Sequence, residues 1–171
     1  MSNYIHPCTL EAAYEVASNL RPDDLQECVE GWGILPTLDI PLASLQGFCV
    51  YFTVPNGKTA GIAGIHDNGQ VWMLCTDAIH DYPVTFAREA KRFIESRPEP
   101  FLWNYVDTRN TAHIKLLKYL GFTLHETVPF GPNNLPFIRF SRGTSNNRRR
   151  SVDGLRDLRS GWSAPVSTSS D

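Results

Sequence analysis

Hydrophobic and polar positions change period several times along the chain, and each change marks an element. Leu10, Ala13, Tyr14, Ala17 and Leu20 recur at helical spacing behind Thr9, a natural N-cap, and Arg21-Pro22 ends the run. Asp23 and Gln26 have the spacing of a capping box, which predicts a second helix burying Leu25, Cys28, Val29 and Trp32. Gly31, Gly33, Pro36 and Pro41 then predict a loop with at most one helical turn near Leu42 to Gln46. From Phe48 the period shortens to that of strands. Phe48 to Val54, Thr59 to His66 and Val71 to Thr76 read as a three-strand meander, because Asn56-Gly57 and Asn68-Gly69 are hairpin turns. Gly61 and Gly64 in the middle strand permit close approach of a neighbouring backbone.

The helical period returns from Tyr82 to Ser96, with Asp81 as the expected N-cap, Pro83 in the first turn and Phe86, Ala90, Phe93 and Ile94 facing inward. Arg97-Pro98-Glu99-Pro100 stops it before a strand, Phe101 to Val106. Asp107, Thr108 and Asn110 supply turn and cap chemistry for a short helix carrying Ile114, Leu116, Leu117 and Leu120. Gly121 fits a left-handed C-cap, a further strand begins at Phe122, and a last one runs from Phe137 to Ser141. The order predicts an α+β fold. Its three-strand meander is antiparallel, helices flank the sheet, and the Tyr82 to Ser96 helix is long enough to be a crossover.

The 171 residues suffice for one domain with a genuine core, placed at residues 1–142. From Gly143 the composition turns to Ser, Asn, Arg and Gly, so residues 143–171 are expected to be a flexible or partner-bound C-terminal tail. Within it Val152, Leu155, Leu158 and Trp162 can share a helical face, and Arg148, Arg149 and Arg150 form a basic run; these are the candidate partner-binding residues. The formal net charge of −2 gives no general attraction to nucleic acid or anionic membrane outside that run. Cys8, Cys28, Cys49 and Cys75 lack metal-ligand or CxxC spacing, so they are expected to be buried small hydrophobes in a reducing compartment, and no metal site is expected. No apolar run is long enough to cross a bilayer, and a soluble cytoplasmic protein is expected.

The β-α-Gly-Phe-β unit around Trp103 to Phe122 resembles the GNAT acetyltransferase signature NxxAxxLYxxxGF, with Asn110, Gly121 and Phe122 at its spacing. The resemblance implies a mixed, mostly antiparallel sheet in which one parallel pair, Val71 to Thr76 with Phe101 to Val106, splays apart to leave a wedge that holds pantetheine in active relatives. His113 stands where the pattern has alanine and Leu117 where it has a tyrosine that protonates the departing thiolate, a task leucine cannot perform. GNAT enzymes cradle a diphosphate on a Q/RxxGxG/A turn, since glycine and free amides suit an anion. The corresponding Asp77 to Thr85 contains no glycine, lacks a donor at Pro83 and carries Asp77 and Asp81. More closely, WNYVDTRNTAHIKLLKYLGFTLHE, TDAIHDYPVTFAREAKRFI and PFIRFS resemble the internal virion protein A family of short-tailed phages, over about Val71 to Arg142.

Two functional expectations follow. The virion resemblance implies a virion-associated or assembly protein that uses a GNAT-like scaffold as a binding module and needs no cofactor. It would dock in several copies on portal, adaptor, tail or internal core proteins, passing from the host cytoplasm to the virion. The alternative is an acetyl-CoA-dependent N-acetyltransferase acting on a protein or small amine. Asp77 or His80 would then be the base and water or Tyr105 the acid, with Thr76, Asp81 and Asn110 against the cofactor. Asp77, His80 and Asp81 serve equally as helix-capping and solvated loop residues. Asn110 suits a cap as well as a ligand contact, His113 is expected to face solvent or a neighbour, and Trp103 and Tyr105 are expected to line core and wedge.

Overall fold

The computed structural model describes residues 2–143; the candidate partner-binding residues Arg148 to Trp162 lie outside them. The elements run β1 (Ile5–Pro7), α1 (Leu10–Ser18), α2 (Pro22–Gln26), a π-helical turn (Glu27–Trp32), α3 (Pro36–Ser44), β2 (Phe48–Thr53), β3 (Thr59–Ile65) and β4 (Val71–Cys75). A 3-10 turn (Asp77–His80), α4 (Pro83–Glu95), β5 (Phe101–Asp107), α5 (Thr111–Tyr119), β6 (Thr123–Phe130) and β7 (Leu135–Gly143) complete the chain. The expected α+β order holds. Both hairpin turns form on left-handed glycines, Gly57 at φ 82° and Gly69 at φ 84°.

The strands form two antiparallel sheets, β1-β2-β3-β4 and β5-β7-β6. They meet where β4 and β5 start side by side, through a parallel bridge of Gln70 with Trp103 and a bond from Trp103 N–H to Gly69 C=O at 3.1 Å. Beyond it the two strands diverge, which is the expected splay. One core spans both sheets: Phe52, Phe86, Phe93 and Ile94 pack under the first, Leu102, Val106 and Phe140 under the second. A smaller core joins Ala13, Val16 and Ala17 of α1 to Ile40 of α3 and Ile62 of β3.

Four local expectations are corrected. Thr9 does cap α1, its Oγ1 accepting from Ala12 N–H at 3.1 Å, but the buried face is Ala12, Ala13, Val16 and Ala17; Leu10 and Tyr14 are exposed. Small alanines let α1 approach the sheet closely, which turns the larger residues outward. The expected loop before Leu42 contains α3, which begins with Pro36 in the first turn, where a missing N–H costs nothing, and tolerates Pro41 inside. Asp81 does not cap α4; Tyr82 holds that position without a side-chain bond. The largest departure lies in the second helical segment. Leu25 and Val29 are exposed there, whereas Asp24 and Glu27 are buried.

Candidate functional site

The splay of β4 from β5 turns backbone groups into a cleft, and the ladders show which. The bonds Thr76 N–H to Ala60 C=O and His66 N–H to Gln70 C=O fix the alternation of the β3–β4 pair, so Met73 and Cys75 direct their N–H and C=O away from β3 into the wedge. On the other wall, Thr108 N–H bonds Pro136 C=O, so the same argument directs Trp103, Tyr105 and Asp107 toward β4.

The segment after α1 supplies the residues that fill the wide end. Cys75 donates its N–H to Asp24 Oδ2 at 2.7 Å and its C=O accepts from Arg21 N–H at 2.9 Å. Asp107 donates its N–H to Glu27 Oε1 at 3.3 Å. One acidic side chain therefore satisfies each diverging strand. Asn110 ties the two together, its Nδ2 donating to Asp24 Oδ1 at 2.9 Å and to Glu27 Oε2 at 2.7 Å. Its Oδ1 accepts from Arg21 Nη2 and from His113 N–H, the latter at 3.4 Å, so Asn110 also caps α5. Arg21 is 4 % exposed and grips Asp24 through Nε at 3.1 Å and Nη2 at 3.0 Å. Asp24 in α2 and Glu27 at the start of the wider π-helical turn are three residues apart and share one helical face, which aims both acidic side chains inward.

Burial and the negative charge of Asp24 push the Glu27 carboxyl up to about 8, against the bonds from Asn110 and Asp107 that favour its anion. Glu27 is therefore mostly protonated at neutral pH. His113, half-buried on the first turn of α5, titrates below the usual histidine range because burial disfavours the imidazolium, Asp24 notwithstanding. Atoms of Asp24, Glu27 and His113 capable of ligating a metal lie within 4.8 Å of one another. In this trio Asp24 is already held by the Arg21 guanidinium and the Asn110 amide.

Two cavities open on this network. The first, about 300 Å³, lies between α4 and α5 against the end of β4 and is walled by Ile79, Phe86, Leu116 and Tyr119, with Lys115 at its edge. The second, about 760 Å³, carries Glu27, Trp32, Asp39 and Tyr105 and reaches Ile94 of α4 and Leu117 of α5. Met73 and His113 line both.

The residues singled out in the sequence are spread over this region. Tyr105 is on the wall of the larger cavity, stacked on Phe130 with ring centres 4.9 Å apart. His80 borders the smaller cavity; its Nε2 is 3.7 Å from Asp77 Oδ1, and both side chains are largely exposed. Asp81 is exposed at the end of the 3-10 turn. Thr76 is buried, its hydroxyl donating to Thr59 C=O at 2.8 Å and accepting from Ala78 N–H at 3.3 Å. Asn110 has both ends of its amide engaged by protein groups. His113 faces the cavities rather than solvent. Arg21, Asp24 and Glu27 were not legible as site residues. Their one signal was charge at helical positions that an apolar face would fill.

No family model matches the sequence, and no curated protein sequence matches it. Solved structures do. A putative acetyltransferase from Salmonella typhimurium, with its cofactor acetyl-CoA, superposes with a TM-score of 0.59 at 16% identity, over 83% of this chain and 94% of that one. The fold is GNAT-like. The ribosomal-protein-S18-alanine N-acetyltransferase from Escherichia coli gives a TM-score of 0.57 at 20% identity, over 82% of this chain and 93% of that one. An aminoglycoside acetyltransferase in complex with coenzyme A gives 0.58 at 15% identity, over 85% and 97%. These likenesses carry the fold. Neither they nor the described geometry bear on the virion association that the sequence resemblance implies. Among the described residues no helix is long and apolar enough to cross a membrane.

Proposed function

We propose that the chain is an N-acyltransferase that moves an acyl group from a thioester of the acetyl-CoA class to an amine. The observation that carries this reading is the pair of cavities meeting at Met73 and His113. Such a junction lets a donor lying in the smaller cavity meet an acceptor lying in the larger one, which brings reacting atoms together without either blocking the other. The smaller cavity fits an acyl-pantetheine arm, being apolar along its length and bordered by the in-turned N–H of Met73. When bound, the thioester supplies the activated carbonyl. A backbone N–H aimed at its oxygen is positioned to stabilise the charge that develops as the amine attacks.

Proton transfer falls to His113. Its depressed proton affinity keeps the imidazole neutral at pH 7, ready to accept the proton that the amine nitrogen loses as the C–N bond forms. Because it borders both cavities, the same ring can deliver that proton to the thiolate released when the C–S bond breaks. His113 and Leu117 are four residues apart and share one face of α5, so the histidine stands a turn away from the place where the GNAT signature has its tyrosine. Glu27 and Asn110 position α5 and the strand ends rather than react. Fold likeness to acetyltransferases supports the reading.

The test is thiol release from acetyl-CoA with a panel of amines, including an aminoglycoside and an alanine-terminated peptide. The expected result is turnover with at least one acceptor, lost by two orders of magnitude or more in His113→Ala while donor binding persists. Turnover untouched by that substitution removes His113 from the mechanism. No donor binding and no turnover removes the function.

A further inference from the structure

The turn that leads from β4 into α4 commits three of its backbone donors to itself. Ala78 N–H bonds Thr76 Oγ1 at 3.3 Å, Ile79 N–H bonds Thr76 C=O at 3.4 Å, and Asp81 N–H bonds Ala78 C=O at 3.3 Å. Pro83 opens α4 with no N–H, and the first helical bond, Phe86 N–H to Tyr82 C=O, leaves Val84 and Thr85 as the free donors of the first turn. Asp77 and Asp81 stand exposed beside them. An anion placed here would meet two carboxylates and few amides. The apolar slot beneath, between Ile79 and Phe86 on one side and Leu116 and Tyr119 on the other, remains open. Slot and turn therefore make opposite statements about the two halves of a coenzyme A molecule.

We infer that this protein recognises its donor as a pantetheine thioester and reads nothing of the nucleotide diphosphate beyond it. The inference rests on the acyl-transfer reading and narrows it: coenzyme A is one source of the arm, and phosphopantetheine borne on a carrier protein is another. A diphosphate cradle earns its affinity through charge-assisted hydrogen bonds, each worth about tenfold or more. A turn that offers two free amides beside two carboxylates gives the nucleotide little hold.

The experiment is calorimetric titration of the full chain with acetyl-CoA, with acetyl-pantetheine and with an acetyl-phosphopantetheinylated carrier protein. Affinities for acetyl-CoA and acetyl-pantetheine within tenfold of one another are expected, and a preference for acetyl-CoA above tenfold overturns the inference while leaving acyl transfer intact. A carrier that binds more tightly than either free thioester identifies the carrier as the source and supports the inference. Silence with all three, from a chain shown folded by circular dichroism, overturns the acyl-transfer reading itself and the inference with it. A second variant keeps the claim exposed: Asp81→Asn combined with Pro83→Ala removes one charge and restores one donor. It should tighten acetyl-CoA roughly tenfold and leave acetyl-pantetheine unchanged; if neither affinity moves, the turn is not what excludes the diphosphate and the inference falls.

Discussion

Replacing Glu27 with glutamine separates the proton on this side chain from its shape. In the folded chain the carboxyl ionises near pH 8 against 4.5 when free, chiefly because burial disfavours its anion. A raised value means that the folded state holds the proton more tightly, so unfolding between these limits releases one proton and stability falls as pH rises. Below pH 4.5 both states are protonated and nothing is lost; above pH 8 both are ionised and the full penalty is present. At about 1.4 kcal/mol per tenfold change in proton affinity, the penalty is on the order of 5 kcal/mol, a large share of what a domain this size possesses. Glutamine cannot ionise. It keeps an acceptor for Asn110 and weakens the 3.3 Å bond from Asp107 N–H, a cost of about 1 kcal/mol that does not vary with pH. Urea unfolding followed by tryptophan fluorescence at pH 5, 7 and 9 should show Glu27→Gln at or slightly below the parent at pH 5 and well above it at pH 9. A difference between the two proteins that stays flat within 1 kcal/mol across this range refutes the assignment of a buried, protonated Glu27.

Breaking the ion pair beside it should act the other way: Arg21→Met leaves Asp24 buried and unpaired and should cost about 3–5 kcal/mol in urea unfolding, whereas Arg21→Met with Asp24→Leu should cost less than Arg21→Met alone. A double variant less stable than the single one would show that Asp24 holds the Cys75 amide for reasons beyond the pair. Gly131→Ala forces a left-handed backbone, φ 70°, onto a residue whose added methyl would strike the carbonyl of Gly31, so a loss of at least 2 kcal/mol is expected by thermal or urea unfolding. In Thr9→Ala the loss should be about 1 kcal/mol, confined to the cap of α1, with no change in donor binding.

The strands were legible because their punctuation is local: Asn-Gly turns and a left-handed Gly121 act within four residues and need no knowledge of the rest of the molecule. The splay was legible only through the GNAT resemblance, since a crossover helix between β4 and β5 permits a parallel pair but does not say that it opens. The contents of the wedge were not legible. Reading apolar spacing places Leu25 and Val29 inside, but Asp24 and Glu27 take the inward face because they serve the backbone of strands far along the sequence. Asn110 shows the limit well. Its capping role follows from its neighbours in sequence, while its bonds to Asp24 and Glu27 span more than eighty residues and leave no periodic trace. β1 escaped notice because three residues ending in proline carry no alternation to detect.

The bond from Trp103 N–H to Gly69 C=O sits at the vertex from which the two sheets diverge. Any widening of the angle between them, whether by a ligand wedged from either face or by partial opening, levers on that vertex first. The deuterium uptake of one amide proton, that of Trp103, thereby becomes a gauge of how far the molecule is spread.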